Sequence, residues 1–372
     1  MKKLSLALIL CLVLSLFAGC AGTPVIYYTD CTCPTGSHEE AAPVETTPAP
    51  AETETPVETE APVAAEGALK IGMFISTSIR DSKSATEEAA GEAVYDVTVV
   101  AVLVDDEGII RDCVIDGIKA SVNFDATGVV TSDLTAAPAT KNELGEAYGM
   151  VAWGGAVAEW DAQAAAVAAA CVGKHWGALQ GVVVSESGYA PEGTDLATSA
   201  TIYIGGYVKA IEQAAASAQH LGAQAGDELK LAITTGIDGS ASATEEKEGT
   251  AQLDVNAAAV TFNGETITSC YLDSVQAKVN FDTTGTVTTD VNTVPSTKNQ
   301  LGEQYGMVAW GGAIAEWNVQ AASFASYVTG KTAAEVAGIA VNEGTKPTDA
   351  DLATSVTIAI GGFQALIAKA AQ

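Results

Sequence analysis

Apolar and polar positions divide the chain into three stretches. An unbroken uncharged run covers Leu4 to Phe17, a long polar stretch follows, and patterned segments begin near Leu69. Within the patterned part, "DVTVVAVLV", "DDEG" and "IIRDCVIDGI" predict strand, tight turn and strand, because β-branched residues flank a turn that contains glycine. "VNFDATGVVTSD" predicts a shorter hairpin about "DATG". After "TKNELGEAYGM" the pattern becomes alanine-rich, and "AVAEWDAQAAAVAAACVGK" predicts a helix of about four turns that closes at Gly173. "TSATIYI" then predicts a strand running into a second helix, "GGYVKAIEQAAASAQ", opened by a glycine pair.

The whole sequence of elements occurs twice. "SATEEAAGEAVYDVTVVAV" at Ser84 answers "SATEEKEGTAQLDVNAAAV" at Ser242, and "KASVNFDATGVVTSD" at Lys119 answers "QAKVNFDTTGTVTTD" at Gln276. From Cys113 to Lys174 the copies keep a constant offset, so that Lys141 answers Lys298. Repeats of this length are far longer than solenoid units, so each is expected to be a domain with its own core. The expected division is 69–220 and 229–372, with 221–228 as linker. The fold class is α+β: two tandem homologous domains, each an antiparallel sheet covered by two helices, after a disordered stalk.

The start of the chain changes the picture of where these domains sit. Lys2 and Lys3, the apolar run and the small residues before Cys20 have the layout of a secretory signal. "LFAGC" resembles a bacterial lipobox, with Cys20 lipidated and residues 1–20 the signal; the other reading is an ordinary signal cut before a free thiol. Residues 21–68, rich in Pro, Thr and Glu, lack the apolar surface to fold. Of these, about 27 residues at about 3.1 Å each reach roughly 80 Å as an extended stalk. The expected location is extracytoplasmic, anchored to the cell membrane as a lipoprotein.

A net charge of −29 argues against a nucleic-acid partner, because phosphate binding needs a basic face. Outside the signal an odd number of cysteines remains: Cys31, Cys33, Cys113, Cys171 and Cys270, which argues against a full disulfide framework. Cys113 and Cys270 lie in equivalent apolar runs and read as buried thiols. Cys31, Cys33 and His38 fall short of the four ligands of a closed zinc site. Neither His175 nor His220 has a doubled partner, so no nucleophile and base recur, and the chain leans away from an enzyme.

The most alike stretches of the two copies are "TKNELGEAYGMVAWGGAVAEWDAQA" and "TKNQLGEQYGMVAWGGAIAEWNVQA". Trp153 and Trp160, like Trp310 and Trp317, would share a helix face if one helix includes both. Glu159 and Gln163, like Glu316 and Gln320, are spaced to share a face as well. One reading is a ligand site, with an aromatic wall, a carboxylate, an amide, and a rim from Lys141 and Tyr148, or Lys298 and Tyr305. The other is a packing seam, in which the tryptophans fasten helix to sheet and Glu159 pairs locally. The ligand of such a site, a small molecule or a surface polymer, is not written in the sequence.

The strand, Asp/Gly turn and strand of "VTVVAVLVDDEGIIRDCVI", with the ends "DLATSATIYIGGYVKAI" and "DLATSVTIAIGGFQALI", resemble the small FMN-binding domains of bacterial surface and respiratory proteins. "EWDAQAAAV" with "VGK" is similar to a class of surface lipoproteins of anaerobic Firmicutes. The first resemblance implies FMN as cofactor, attached through the last threonine of the terminal segment, which falls on Thr201 and Thr357. It implies extracellular electron transfer, beside the alternatives of a two-site binding protein and a passive structural or adhesive one. Ser199 and Ser355 stand where that family has glycine.

Overall fold

A computed structural model describes residues 67–372; the signal, Cys20, Cys31, Cys33 and nearly all of the stalk lie outside the described residues. The first repeat contributes strands β1 (Lys70–Ser78), β2 (Gly91–Val104) and β3 (Ile110–Phe124). Helices α1 (Lys141–Leu144), α2 (Met150–Gly154), α3 (Trp160–Cys171), α4 (Asp195–Ser199) and α5 (Gly205–Ala216) follow. The second repeat gives β4 (Glu228–Gly236), β5 (Gly249–Asn263) and β6 (Thr266–Phe281). Its helices are α6 (Lys298–Leu301), α7 (Met307–Gly311), α8 (Trp317–Val328), α9 (Ala333–Ala337) and α10 (Gly361–Ala370).

Each repeat is a three-stranded antiparallel sheet, in the orders β1-β2-β3 and β4-β5-β6. The apolar run in β2 follows from burial on both faces. Val97, Val99, Ala101 and Leu103 point toward the other repeat's sheet, whereas Val100, Val102 and Val104 point toward α3 and α5. In β5 the same alternation sends Val255, Ala257 and Ala259 one way and Ala258, Val260 and Phe262 the other. Such near-continuous apolar strands usually mark parallel sheets; here antiparallel strands show them because a second sheet covers the face that would otherwise be wet. The result is four layers, helix, sheet, sheet and helix, with a helix–sheet core in each repeat and a third core shared between the sheets.

The shared core refines the expectation that each copy carries a self-sufficient core. Phe124 and Phe281, equivalent residues, stack with centroids 3.9 Å apart and rings 1° from parallel. Gly91 and Gly249 allow this, since a β-carbon at either would lie 2.2 or 2.3 Å from the adjacent phenylalanine ring. The doubled "SATEE" and "DATG/DTTG" segments form a reciprocal clasp. Ala85 N–H donates to the Gly285 carbonyl and Ala243 N–H to that of Gly128, both at 2.8 Å. Val287 N–H donates to Ser84 Oγ and Val130 N–H to Ser242 Oγ, both at 3.0 Å. Equivalent surfaces thus meet each other, the arrangement of a two-fold dimer joined into one chain.

Three sequence expectations change in detail. β1 was not anticipated; its "KIGMFISTS" pairs along β2 from Lys70–Val104 to Ser78–Asp96. The predicted strand "TSATIYI" is instead the short helix α4 followed by extended chain, because Thr194 caps that turn by accepting from Ala197 N–H. The "DATG" hairpin is reduced to a turn and a single bridge between Phe124 and Val130. The linker is woven into the fold: Leu69 N–H donates to the Ala223 carbonyl at 2.8 Å, and Ala223 is buried in the shared core. Asp227 fixes it further, accepting from Gln224 N–H at 2.8 Å and Thr268 Oγ1 at 2.7 Å. Cys113, Cys171 and Cys270 are buried free thiols. Among the described residues no helix is long and apolar enough to cross a membrane.

Candidate functional site

The doubled stretch breaks into three short helices separated by glycine turns, so its candidate residues have different surroundings. Thr140 opens α1 with a reciprocal capping box: its side chain accepts from Glu143 N–H, and the Glu143 carboxylate accepts from Thr140 N–H at 2.8 Å. This one-turn helix is clipped to β3 by Asp116, which accepts from Gly117 N–H at 2.7 Å and Asn142 N–H at 3.1 Å. Asn142 Nδ2 donates to the Ile115 carbonyl at 3.0 Å. The second repeat repeats the clip through Asp273, accepting from Ser274 at 2.7 Å and Asn299 at 3.1 Å. Burial pushes the Asp273 carboxyl up to about 6 against the opposing pull of its hydrogen bonds, and it raises Asp116 in the same direction.

Lys141 comes next in α1 and is buried, its ammonium 4.9 Å from the Trp160 ring, 5.5 Å from the Tyr148 ring and 3.6 Å from Asp96 Oδ1. Lys298, half-buried, keeps the aromatic contacts at 5.0 Å from the Trp317 ring and 5.2 Å from the Tyr305 ring. Burial lowers the Lys298 pKa, opposed by Asp254 and Asp273. The aromatic faces and one carboxylate replace the water that a buried ammonium loses, which makes the lysine a peg through the box. Trp160 is buried at the start of α3, with its indole N–H on Tyr207 Oη at 3.0 Å; Trp317 instead meets Phe363 edge to face at 5.8 Å.

Glu159, the N-cap residue of α3, and Gln163, in its first turn, serve two neighbours. The Glu159 carboxylate caps α2, accepting from Met150 N–H at 2.8 Å and Val151 N–H at 3.0 Å. Glu316 caps α7 from Met307 at 2.8 Å and Val308 at 3.0 Å. Gln163, fully buried, donates to the Ala158 carbonyl at 2.8 Å and accepts from Thr201 N–H at 2.9 Å; Gln320 does the same for Ala315 at 2.7 Å and Thr357 at 2.8 Å. These two residues therefore brace loops.

Thr201 and Thr357 sit on those braces. Their hydroxyls donate inward to the glutamine oxygens at 3.4 and 3.2 Å, and neither lies at a strand end. Thr201 is exposed and Thr357 half-buried, and the strand on which the resemblance would set an attached flavin is not formed at either place.

Trp153 and Trp310 are the exception to this pattern of bracing. Each is 89% exposed on its short helix, with Val151 and Val157, or Val308 and Ile314, exposed beside it. Gly149 and Gly306, at φ of 80° and 81°, open these helices with the indole lying against their α-carbons, where any β-carbon would collide. The two tryptophans of each stretch therefore do not share a helix face: one is core and one is a projecting tip.

Each repeat also has a groove beside α3 or α8 that sequence reasoning missed. It is about 480 Å³ in the first repeat and about 660 Å³ in the second. Asn142 and Asp161, or Asn299 and Asn318, line it. Both lie within the doubled stretch, each adjacent to a residue read as a candidate, and the exchange of Asp161 for Asn318 is the available signal. Among the described residues, no group of three or more His, Cys, Asp or Glu is arranged to hold a metal ion. No protein-family model, curated protein or solved structure matches the chain.

Proposed function

We propose that the protein is an extracytoplasmic, membrane-anchored lipoprotein that presents two binding sites, one on each repeat, to a surface ligand. The observation that carries this reading is the doubled tryptophan tip. Core residues recur between copies because packing holds them, but an indole that is 89% exposed in both copies has no such constraint. In a chain with only 6% aromatic residues, two projecting indoles flanked by exposed valine or isoleucine form the most conspicuous apolar features of the surface. The net charge of −29 disfavours anionic polymers and anionic bilayers, and the exposed indole with its valine or isoleucine neighbours suits a flat, uncharged ligand face. Lipidation at Cys20 and the acidic stalk support presentation away from the membrane.

The test uses the mature chain with Cys20 replaced, sedimented with an insoluble uncharged polysaccharide such as cellulose or chitin. The expected result is retention of the parent and about tenfold weaker retention of the Trp153→Ala, Trp310→Ala double variant, with each single variant between them through lost avidity. Equal retention of the parent and the double variant ends the reading in favour of a passive structural role for the tips.

A further inference from the structure

The two grooves are the same place in the two repeats, yet their linings have diverged in one direction. Val114 of the first is Tyr271 in the second, Asp161 is Asn318, Ala169 is Ser326, and Val172 is Thr329, while Asn142 and Asn299 are shared. Each of these four exchanges adds a neutral hydrogen-bonding group or removes a charge, while Ile115 and Leu272 exchange one apolar side chain for another. The second groove is also walled by Gln219–Leu221 from the end of the first repeat, whereas the first is lined by its own repeat alone.

That wall is fixed in place. Gln219 and Ile71 exchange both backbone hydrogen bonds at 2.9 Å, and His220 Nε2 lies 3.0 Å from Asp106 Oδ1, which is also 2.6 Å from the Lys70 ammonium. No Asp, Glu, Lys or Arg lines the second groove. Asn318 keeps its side-chain oxygen buried without a hydrogen-bond partner, as Asp161 does at the same place in the first repeat, so this feature does not tell the grooves apart. Asn299 Nδ2 donates to the Tyr271 hydroxyl at 3.4 Å and to the Leu272 carbonyl at 2.8 Å, which leaves the phenolic proton to donate elsewhere.

We propose that the groove of the second repeat binds an uncharged saccharide. The Tyr271 and Ser326 hydroxyls line the groove, and a sugar hydroxyl, donor and acceptor at once, can pair with either. The C–H faces of a sugar match the apolar parts of the lining, Cys270, Leu272 and Ala325. An anion finds no Lys or Arg in the lining and a cation finds no carboxylate, so either loses hydration without return. A cavity of about 660 Å³ is within the ordinary size of small-molecule sites. In the first repeat, Asp161 and Asp112 with alanine and valine walls do not offer this set, so one of the two copies carries the site.

The experiment is titration calorimetry of the mature chain with glucose, N-acetylglucosamine and cellobiose, with glucose 6-phosphate and lysine amide as charged controls. At least one neutral sugar is expected to bind, and the Tyr271→Val, Asn318→Asp double variant to weaken it by about tenfold or more. Both substitutions import residues that the first repeat carries at the same positions, and a thermal melt reports whether the variant is folded. If it is not, His220→Ala, on the wall and outside the shared core, reads the same loss. The proposal is overturned if no neutral sugar binds up to about 10 mM, if a charged control binds more tightly than its neutral counterpart, or if folded variants keep the parent affinity. The Trp153→Ala, Trp310→Ala variant is expected to keep sugar binding, so this site and the tryptophan tips stand or fall separately.

Discussion

In the first repeat the groove beside α3 has Val114, Asp161, Ala169 and Val172 on its walls; in the second those places hold Tyr271, Asn318, Ser326 and Thr329. A few residues away, Lys141, Trp160, Glu159 and Gln163 are matched identically by Lys298, Trp317, Glu316 and Gln320, and the backbone hydrogen bonds of the glutamates and glutamines agree to within about 0.1 Å. The difference separates two kinds of constraint. A buried lysine in an aromatic box, or a buried glutamine spanning two loops, cannot change without leaving a charge or an amide unsatisfied. A groove wall open to water changes at little cost to folding. Identity at Lys141, Trp160, Glu159 and Gln163 therefore goes with bracing, the four exchanges go with lining, and Trp153 with Trp310 fits neither class, being identical and exposed.

The largest way to break the comparison is to separate the copies. Residues 67–222 or 223–372 produced alone would expose Val97, Val99 and Ala101, or Val255, Ala257 and Ala259, and would lose the Phe124–Phe281 stack and the reciprocal clasp. Each half is expected to be unfolded or to form a two-fold dimer that rebuilds the four layers, because equivalent surfaces already meet in the intact chain. Light scattering after size exclusion distinguishes these outcomes. A folded, monomeric half with a sharp melting transition would show that the repeats need only their own helix–sheet cores.

Within each copy, Trp160→Ala and Trp317→Ala are expected to lower stability by about 3–5 kcal/mol, the usual range for a buried aromatic reduced to alanine. The first should cost more by about 0.5–1 kcal/mol, since Trp160 donates to Tyr207 Oη whereas Trp317 meets Phe363 in that place. Urea unfolding measures both. A loss below about 1 kcal/mol in either would remove the box from the list of braces.

A smaller effect separates the clips by pH. The Asp273 carboxyl titrates near 6 when folded against an ordinary value of 3.8, so between these values the native state holds a proton that the unfolded chain has released. Its contribution to stability is therefore present below about pH 4 and is lost as pH rises through 6. Asp273→Asn, which keeps a carbonyl for Ser274 and Asn299, should gain on the parent by roughly 2–3 kcal/mol from pH 4 to pH 7. Asp116→Asn should move in the same direction. Unfolding midpoints compared across that range check the sign, and a constant gap between variant and parent rules the linkage out.

Most of the repeat was legible because identity over long stretches needs no structural knowledge, and β2, β3 and α3 followed from β-branched runs, a glycine turn and an alanine-rich helix ended by Gly173. What periodicity could not show was what covers each strand. "DVTVVAVLV" says that both faces are apolar, and only the long-range encounter with the other sheet says why. "TSATIYI" has strand composition, yet a capping threonine four residues earlier and the hold of Gln163 on Thr201 override it. Among the candidate residues, seven-residue spacing placed Trp153 and Trp160 together only on an unbroken helix, and Gly155 at φ 61° breaks it. Asn142 and Asp161 were hidden because a groove belongs to the packing of α3 on β3, not to any local pattern.

The smallest expected effect concerns the residues that fit neither class. Trp153→Ala and Trp310→Ala remove side chains that are 89% exposed, so each should change stability by no more than about 0.5 kcal/mol, against several for their buried partners seven residues on. The indole's rest against Gly149 or Gly306 is the one contact that opposes this. If that contact were its role, then Gly149 and the indole would be coupled, and the alanine variants would lose more than about 1 kcal/mol and loosen α2 and α7 in hydrogen exchange. A melt unchanged by the substitution, with α2 and α7 amides as protected as before, leaves the tips without a part in folding. Their identity in two copies that elsewhere drift freely on the surface is then a constraint imposed from outside the chain.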